Sequence, residues 1–136
     1  MARVFITGSS DGLGLIAARM LVEAGHDVVL HARSAEGAED AKRHLPEAKA
    51  ILIADLSDME ATKRLADEVN ALGRFDAVIH NAGVYQAPKT TIFTVNVLAP
   101  YILTALIERP KRLIYISSIC TCMALRTRPA CRRRRA

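Results

Sequence analysis

Thr7-Gly8-Ser9-Ser10-Asp11-Gly12-Leu13-Gly14 is the stretch on which the fold turns. Upstream lies a short apolar run, Val4–Thr7, that reads as a strand. Downstream, Leu13, Ile16, Ala17, Met20, Leu21 and Ala24 recur at helical spacing, and Gly25 follows as a helix-ending residue. A glycine triplet alone also suits an ordinary tight turn. Placed between a strand and an amphipathic helix, it gains a mechanism. Gly8 permits a sharp turn, Gly12 lets the backbone approach a pyrophosphate, and Gly14 lets helix and strand pack closely. The helix N-terminus then offers free N–H groups and the positive end of its dipole to phosphate.

Outward from this loop the pattern repeats. Val28–His31 reads as a second strand, and Ser34 as the N-cap of a helix ending before Pro46. Ile51–Ala54 is a third strand. Ser57-Asp58-Met59-Glu60 fits a capping box, with Met59, Thr62, Leu65, Ala66, Val69 and Leu72 on one helix face and Gly73 at its end. Phe75–His80 is a fourth strand, residues 91–107 a longer helix, and Arg112–Ser117 a fifth strand. Strands alternating with helices imply βαβ units and a parallel sheet.

The end of the second strand bears on the cofactor. A site selective for NAD places a carboxylate there to hold the ribose 2′-hydroxyl. His31-Ala32-Arg33-Ser34 has none. It offers Arg33, whose guanidinium suits a 2′-phosphate, so NADP is expected over NAD; the plain alternative is a solvated surface Arg.

Charge divides the chain in two. Residues 1–118 carry thirteen basic and fourteen acidic side chains, which leaves that body near −1. Residues 119–136 carry six Arg and no acid, so the net charge of +5 belongs to the tail. The basic balance therefore says nothing of the body, and nucleic acid is not expected as a partner. All three cysteines, Cys120, Cys122 and Cys131, lie in the tail. Three thiols without a nearby His fall short of a structural zinc site, and no disulfide framework is implied. No signal peptide is read at the N-terminus, and no run approaches the length of a membrane span, so a cytoplasmic setting is the default expectation.

Taken together, these residues resemble the short-chain dehydrogenase/reductase family. Its Thr-Gly-x-x-x-Gly-x-Gly loop matches Thr7, Gly8, Gly12 and Gly14, with Ser9, Ser10 and Leu13 between them. Its acidic residue after the third strand, which contacts adenine, matches Asp55, followed by Leu56. Its Asn-Ala-Gly motif, which borders the adenosine ribose and steadies the sheet, matches Asn81-Ala82-Gly83. Its helix Asn matches Asn96, and its catalytic Ser matches Ser118. Asp55 as a loop cap, Asn81 as a turn residue and Ser118 as a strand-end hydroxyl are the bland readings. The resemblance covers residues 1–118 and implies a Rossmann-like doubly wound sheet with strand order 3-2-1-4-5. It further implies NADP-dependent hydride transfer to or from a small carbonyl or alcohol substrate, with Ser118 and Asn96 in catalytic roles. Pro100 adds a separate point. It cannot donate to the carbonyl four residues earlier, that of Asn96, and the family is thought to hold a relay water on the backbone of this Asn. A simple kink is the alternative.

The sequence departs from the family after the fifth strand. A Tyr-x-x-x-Lys on the next helix should serve as general acid or base, the Lys charge lowering the Tyr pKa. Residues 119–136 contain neither Tyr nor Lys. The one literal match, Tyr85-Gln86-Ala87-Pro88-Lys89, lies ahead of the Asn96 helix and contains Pro88, so nothing there aligns Tyr and Lys on one helical face. The connection from Gly83 to Asn96 is also shorter than the family usually has. The tail has no amphipathic period, and its Arg, Cys and Pro suggest a coding sequence read out of frame just after Ser118; a natural basic tail is the alternative.

The expectation is thus a Rossmann domain over residues 1–118, truncated after the fifth strand. A tail over 119–136 is expected to be unstructured or out of frame. The implied enzyme would be inactive or much impaired; a non-catalytic NADP-binding scaffold is the alternative. Leu113–Ile116 would form a bare sheet edge, and the helix over 92–107 would show an apolar face to water, so self-association is expected.

Overall fold

In a computed structural model of the chain, which describes residues 1–117, strands and helices alternate. The strands are β1 (Arg3–Ile6), β2 (Asp27–Ala32), β3 (Ala50–Ile53), β4 (Ala77–His80) and β5 (Arg112–Tyr115). All pair in parallel in one sheet, in the order β3-β2-β1-β4-β5. This is the Rossmann-like doubly wound arrangement expected. The strand order reverses between β1 and β4, so a crevice opens beyond their carboxyl ends, where ligands bind in folds of this type.

Alternating side chains split the core into two layers. Val4, Ile6, Val28 and Leu30 pack with Ala18 of α1 (Gly12–Glu23), Ala41 of α2 (Ala35–His44) and Leu45. Phe5, Val29 and Val78 face the other way, toward Leu65 and Val69 of α3 (Met59–Ala71) and toward Phe75. A strand buried on both sides needs apolar residues at every position, which the short Val/Ile/Leu runs supply.

The helix N-termini differ in how their side chains are used. Ser34 caps α2, its Oγ accepting from the Gly37 N–H at 3.2 Å. The capping box at Ser57 does not form. Asp58 is the N-cap of α3 and accepts from the Glu60 N–H at 2.9 Å, because the Ser57 hydroxyl donates to Asp55 instead, at 2.7 Å.

The single helix expected over residues 91–107 is three joined pieces. They are α4 (Lys89–Phe93), a π-turn over Thr94–Leu98 and α5 (Ala99–Leu106). Pro100 has no N–H for the Asn96 carbonyl, and the helix widens just ahead of it, the Ala99 N–H donating to the Thr94 carbonyl five residues back. Together the pieces run Lys89–Leu106, 18 residues with a mean hydropathy of 1.2. On length and composition that suffices to cross a membrane, contrary to the reading that no run comes close. Core helices of soluble domains pass the same test, and here Val95, Ala99 and Leu103 are buried in the α3 layer.

The far edge is open among the described residues. Every residue of β5 is exposed, as are Phe93, Val97, Tyr101 and Leu106 along the long helix. Ser118 and the tail over 119–136, with the boundary drawn between them, lie outside the described residues.

Candidate functional site

A cleft of 800 Å³ lies where the crevice was expected, a size typical of small-molecule sites. Its wall joins the glycine loop, the ends of β2 and β3, and the segment after β4. Gly8, Ser10, Gly12, Leu13, Gly14, Arg33, Asp55, Leu56, Asn81, Ala82 and Gly83 all line it. Thr7, Ser9 and Asn96 do not, and Ser118 lies outside the described residues.

Two glycines are required by geometry. Gly8 has φ +61°, and a Cβ there would come within 2.7 Å of the Ala82 Cα. A Cβ on Gly14 would collide with the Gly8 carbonyl and stand 2.6 Å from Asn81 Nδ2. Gly12 differs: nothing lies within 4 Å of where its Cβ would be, so its open side faces the cleft. No acid sits in the first turn of α1 and Asp11 makes no side-chain cap, so the first N–H groups of that helix keep their capacity for an external anion.

Thr7 and Ser9 hold the loop from beneath. Thr7 Oγ1 accepts from the Asn81 and Ala82 N–H groups at 3.0 and 3.1 Å. Asn81 Nδ2 returns bonds to the carbonyls of Thr7 and Gly8 at 3.2 and 2.9 Å. Ser9 is fully buried; its Oγ donates to the Ile6 carbonyl and accepts from the His31 N–H, at 2.8 and 2.9 Å. Thr7 and Ser9 are thus spent inside the protein and shape the site without lining it, while Asn81 both braces the loop and lines the cleft.

The part of the cleft at the ends of β2 and β3 gathers charge. Arg33 is exposed and lines the cleft, as do Ser34 and Ser10. The two hydroxyls lie 3.6 and 3.7 Å from where a Cβ on Gly37 would be, so α2 begins against the glycine loop. Asp55 Oδ1 accepts from Ser57 Oγ and from the Ser57 N–H, at 2.7 and 2.9 Å. The hydroxyl bond, then the N–H bond, hold its carboxyl below the usual carboxylate range; Arg33 and His31 act in the same sense. His31 was read only as a strand residue. It is buried under the cleft, and burial pushes its imidazole pKa down.

Asn96 clasps the segment after Asn-Ala-Gly. Its Oδ1 accepts from the Val84 N–H and its Nδ2 donates to the Val84 carbonyl, both at 2.8 Å. Val84, Tyr85, Thr91 and Val95 thereby join the cleft wall, and no local pattern in the sequence marked them. The carry-over to Asn96 predicted a backbone role; its side chain is a strut. Farther along, His80 stacks on Tyr115 with ring centroids 4.8 Å apart, and both approach the Thr104 hydroxyl. Burial takes the His80 pKa down to about 4.

The comparisons with known proteins agree with this geometry. A sequence profile described as short chain dehydrogenase matches residues 2–124, running past Ser118. The short-chain dehydrogenase chyC of Penicillium rubens is 55% identical over 126 residues, which is 88% of this chain and 49% of that protein. The short-chain dehydrogenase chry4 of Gibberella zeae is 50% identical over 127 residues, again 88% of this chain and 49% of the relative. The chain thus spans about half the length of the curated relatives it matches. Among solved structures, a metagenomic short-chain oxidoreductase in complex with NADP superposes with a TM-score of 0.74 at 31% identity, covering 86% of this chain and 62% of that one. The Pseudomonas aeruginosa RhlG/NADP complex gives 0.75 at 30% identity, over 87% and 53%. With residues 2–124 inside the family profile, and relatives in that family 50–55% identical over most of its length, the chain belongs to the short-chain dehydrogenases.

Proposed function

We propose that this chain is the NADP-binding portion of an oxidoreductase that moves a hydride between NADP(H) and the carbonyl or alcohol carbon of a small molecule. The observation that carries the cofactor choice is Arg33, exposed and lining the cleft together with Ser10 and Ser34, with no carboxylate at the end of β2. A guanidinium and two hydroxyls suit a 2′-phosphate; a bare ribose would want a carboxylate. The cradle also fits the rest of the dinucleotide. The first N–H groups of α1 and the open side of Gly12 suit a pyrophosphate. With Oδ1 held by Ser57, Asp55 keeps Oδ2 for the adenine amino group. Asn81 and Gly83 line the cleft toward the ribose. The likeness to NADP-complexed structures supports the same reading.

NADPH, when bound, supplies the hydride. What this chain adds is placement: it fixes the phosphate and adenosine end. Ser118 is the residue to orient a substrate oxygen, and residues 119–136 offer no Tyr or Lys as proton donor. We therefore expect these 136 residues to bind nucleotide with little or no turnover, the behaviour of a binding module.

The test is a pair of equilibrium titrations, NADPH and NADH, on the chain and on Arg33→Ala. The expected result is tighter NADPH binding that falls about tenfold in Arg33→Ala, with NADH little changed, as loss of one charge-assisted contact predicts. Equal affinity for the two nucleotides contradicts the role of Arg33. Sustained NADPH consumption with simple aldehydes or ketones contradicts the expected lack of turnover.

A further inference from the structure

The cleft rests on a buried histidine that the nucleotide reading does not use. His31 lies one residue before the end of β2, between two other elements. Its Nδ1 accepts from the Gly8 N–H at 3.0 Å, and its Nε2 lies 2.9 Å from the Ala54 carbonyl. An N–H donor at Nδ1 means that this nitrogen carries no proton, so the neutral ring bears its proton on Nε2 and donates it to Ala54. The ring thus ties the first glycine of the phosphate loop to the residue just before Asp55. Its own N–H is fixed by Ser9 Oγ at 2.9 Å. Loop, strand end and adenine side share one strut.

We propose that His31 is a positioning residue whose neutral form holds the phosphate loop in its binding shape, and whose protonation at Nδ1 releases Gly8 and weakens nucleotide binding. A proton taken from solvent onto Nδ1 replaces the acceptor lone pair with a donor, and two N–H groups then face each other. The Gly8 N–H meets the ring from a turn held at φ +61°, so it leaves the ring only if the loop gives up that shape. The charge that acts on the ring is Asp55, just past β3; Arg33 and Asp11 line the same cleft. Of these, Asp55 favours the protonated ring, and burial opposes it more strongly. The release therefore falls on the acid side of the ordinary imidazole value of 6.5. Near neutral pH the strut is intact.

This inference rests on the proposal that the cleft binds a dinucleotide, so its test has two arms. In the first, NADPH affinity is measured from about pH 8 to about pH 5 on the chain and on His31→Asn, whose amide oxygen can take the Nδ1 place but does not titrate. The 2′-phosphate itself titrates near about pH 6, which is why the ratio of the two proteins, not either curve, is the readout. The expected ratio shifts about tenfold against the native chain on acidification, roughly one lost hydrogen bond. Parallel curves overturn the proposal. In the second arm, the Gly8 amide resonance of the ligand-free native chain is followed over the same range beside the His31 ring signals. It should move with the His31 titration; a Gly8 amide indifferent to that titration overturns the proposal, whatever the variant does. If NADPH binds neither protein at any pH, the nucleotide reading fails, and the Gly8 amide still decides whether His31 controls the loop.

Discussion

The two ends of the sheet use their side chains in opposite ways. Around the glycine loop nearly every polar side chain is committed inward. Thr7, Ser9, His31 and Asn81 bond to backbone groups, and what faces the cleft is helix N–H, open glycine and a few exposed polar groups. At β5 and the long helix the apolar side chains Leu113, Ile114, Val97 and Leu106 face outward. A site that receives a charged ligand is built by satisfying its own scaffold first. An apolar face left in water is one that a further layer of structure would cover.

Filling the cradle should break the first end most severely. Gly14→Val puts a branched side chain against the Gly8 carbonyl and Asn81, and we expect a loss of about 3 kcal/mol or more, read by denaturant unfolding, with nucleotide binding abolished. Gly12→Val sharpens the contrast. Its side chain meets nothing, so only the left-handed backbone at φ +54° is strained, about 1–2 kcal/mol. Thr7→Val comes next. It strips the acceptor from the Asn81 and Ala82 N–H groups, and about 2 kcal/mol should be lost.

Acid should weaken the molecule through its buried histidines. His80 and His31 both have folded pKa values below the unfolded 6.5, and the value for His80 is about 4. An unfolded chain then binds protons that the folded chain refuses. Their contribution is complete above 6.5 and is lost as pH falls from there toward 4, by about 3 kcal/mol for His80. A thermal midpoint that stays flat between those limits would count against the burial described. The smallest effect belongs to the open edge. Ile114→Lys should change stability by less than about 0.5 kcal/mol while reducing concentration-dependent self-association in sedimentation. An unchanged association would mean that copies meet elsewhere.

Most of this was legible before any coordinates. The glycine spacing, the strand–helix alternation and Arg33 follow short-range patterns, Asp55 and Asn81 come from the family resemblance, and the fold converges them on one cleft. What escaped depends on partners distant in sequence. His31 reads as one more residue of an apolar strand, since its partners Gly8 and Ala54 each lie 23 residues away. Asn96 reads as a backbone residue until the chain returns to offer Val84. The cap of α3 moved from Ser57 to Asp58 because a neighbouring carboxylate captured the hydroxyl, a competition that a motif does not weigh. Pro100 signalled a disturbance, but spacing alone does not tell a kink from a π-turn.

The most direct test of the contrast is a backbone amide titration of the labelled chain with NADP. The account predicts that Gly12, Leu13, Gly14, Arg33, Ser34 and Asp55 shift while Leu113–Tyr115 at the open edge stay still. Shifts confined to that edge, or none at saturating nucleotide, would contradict it.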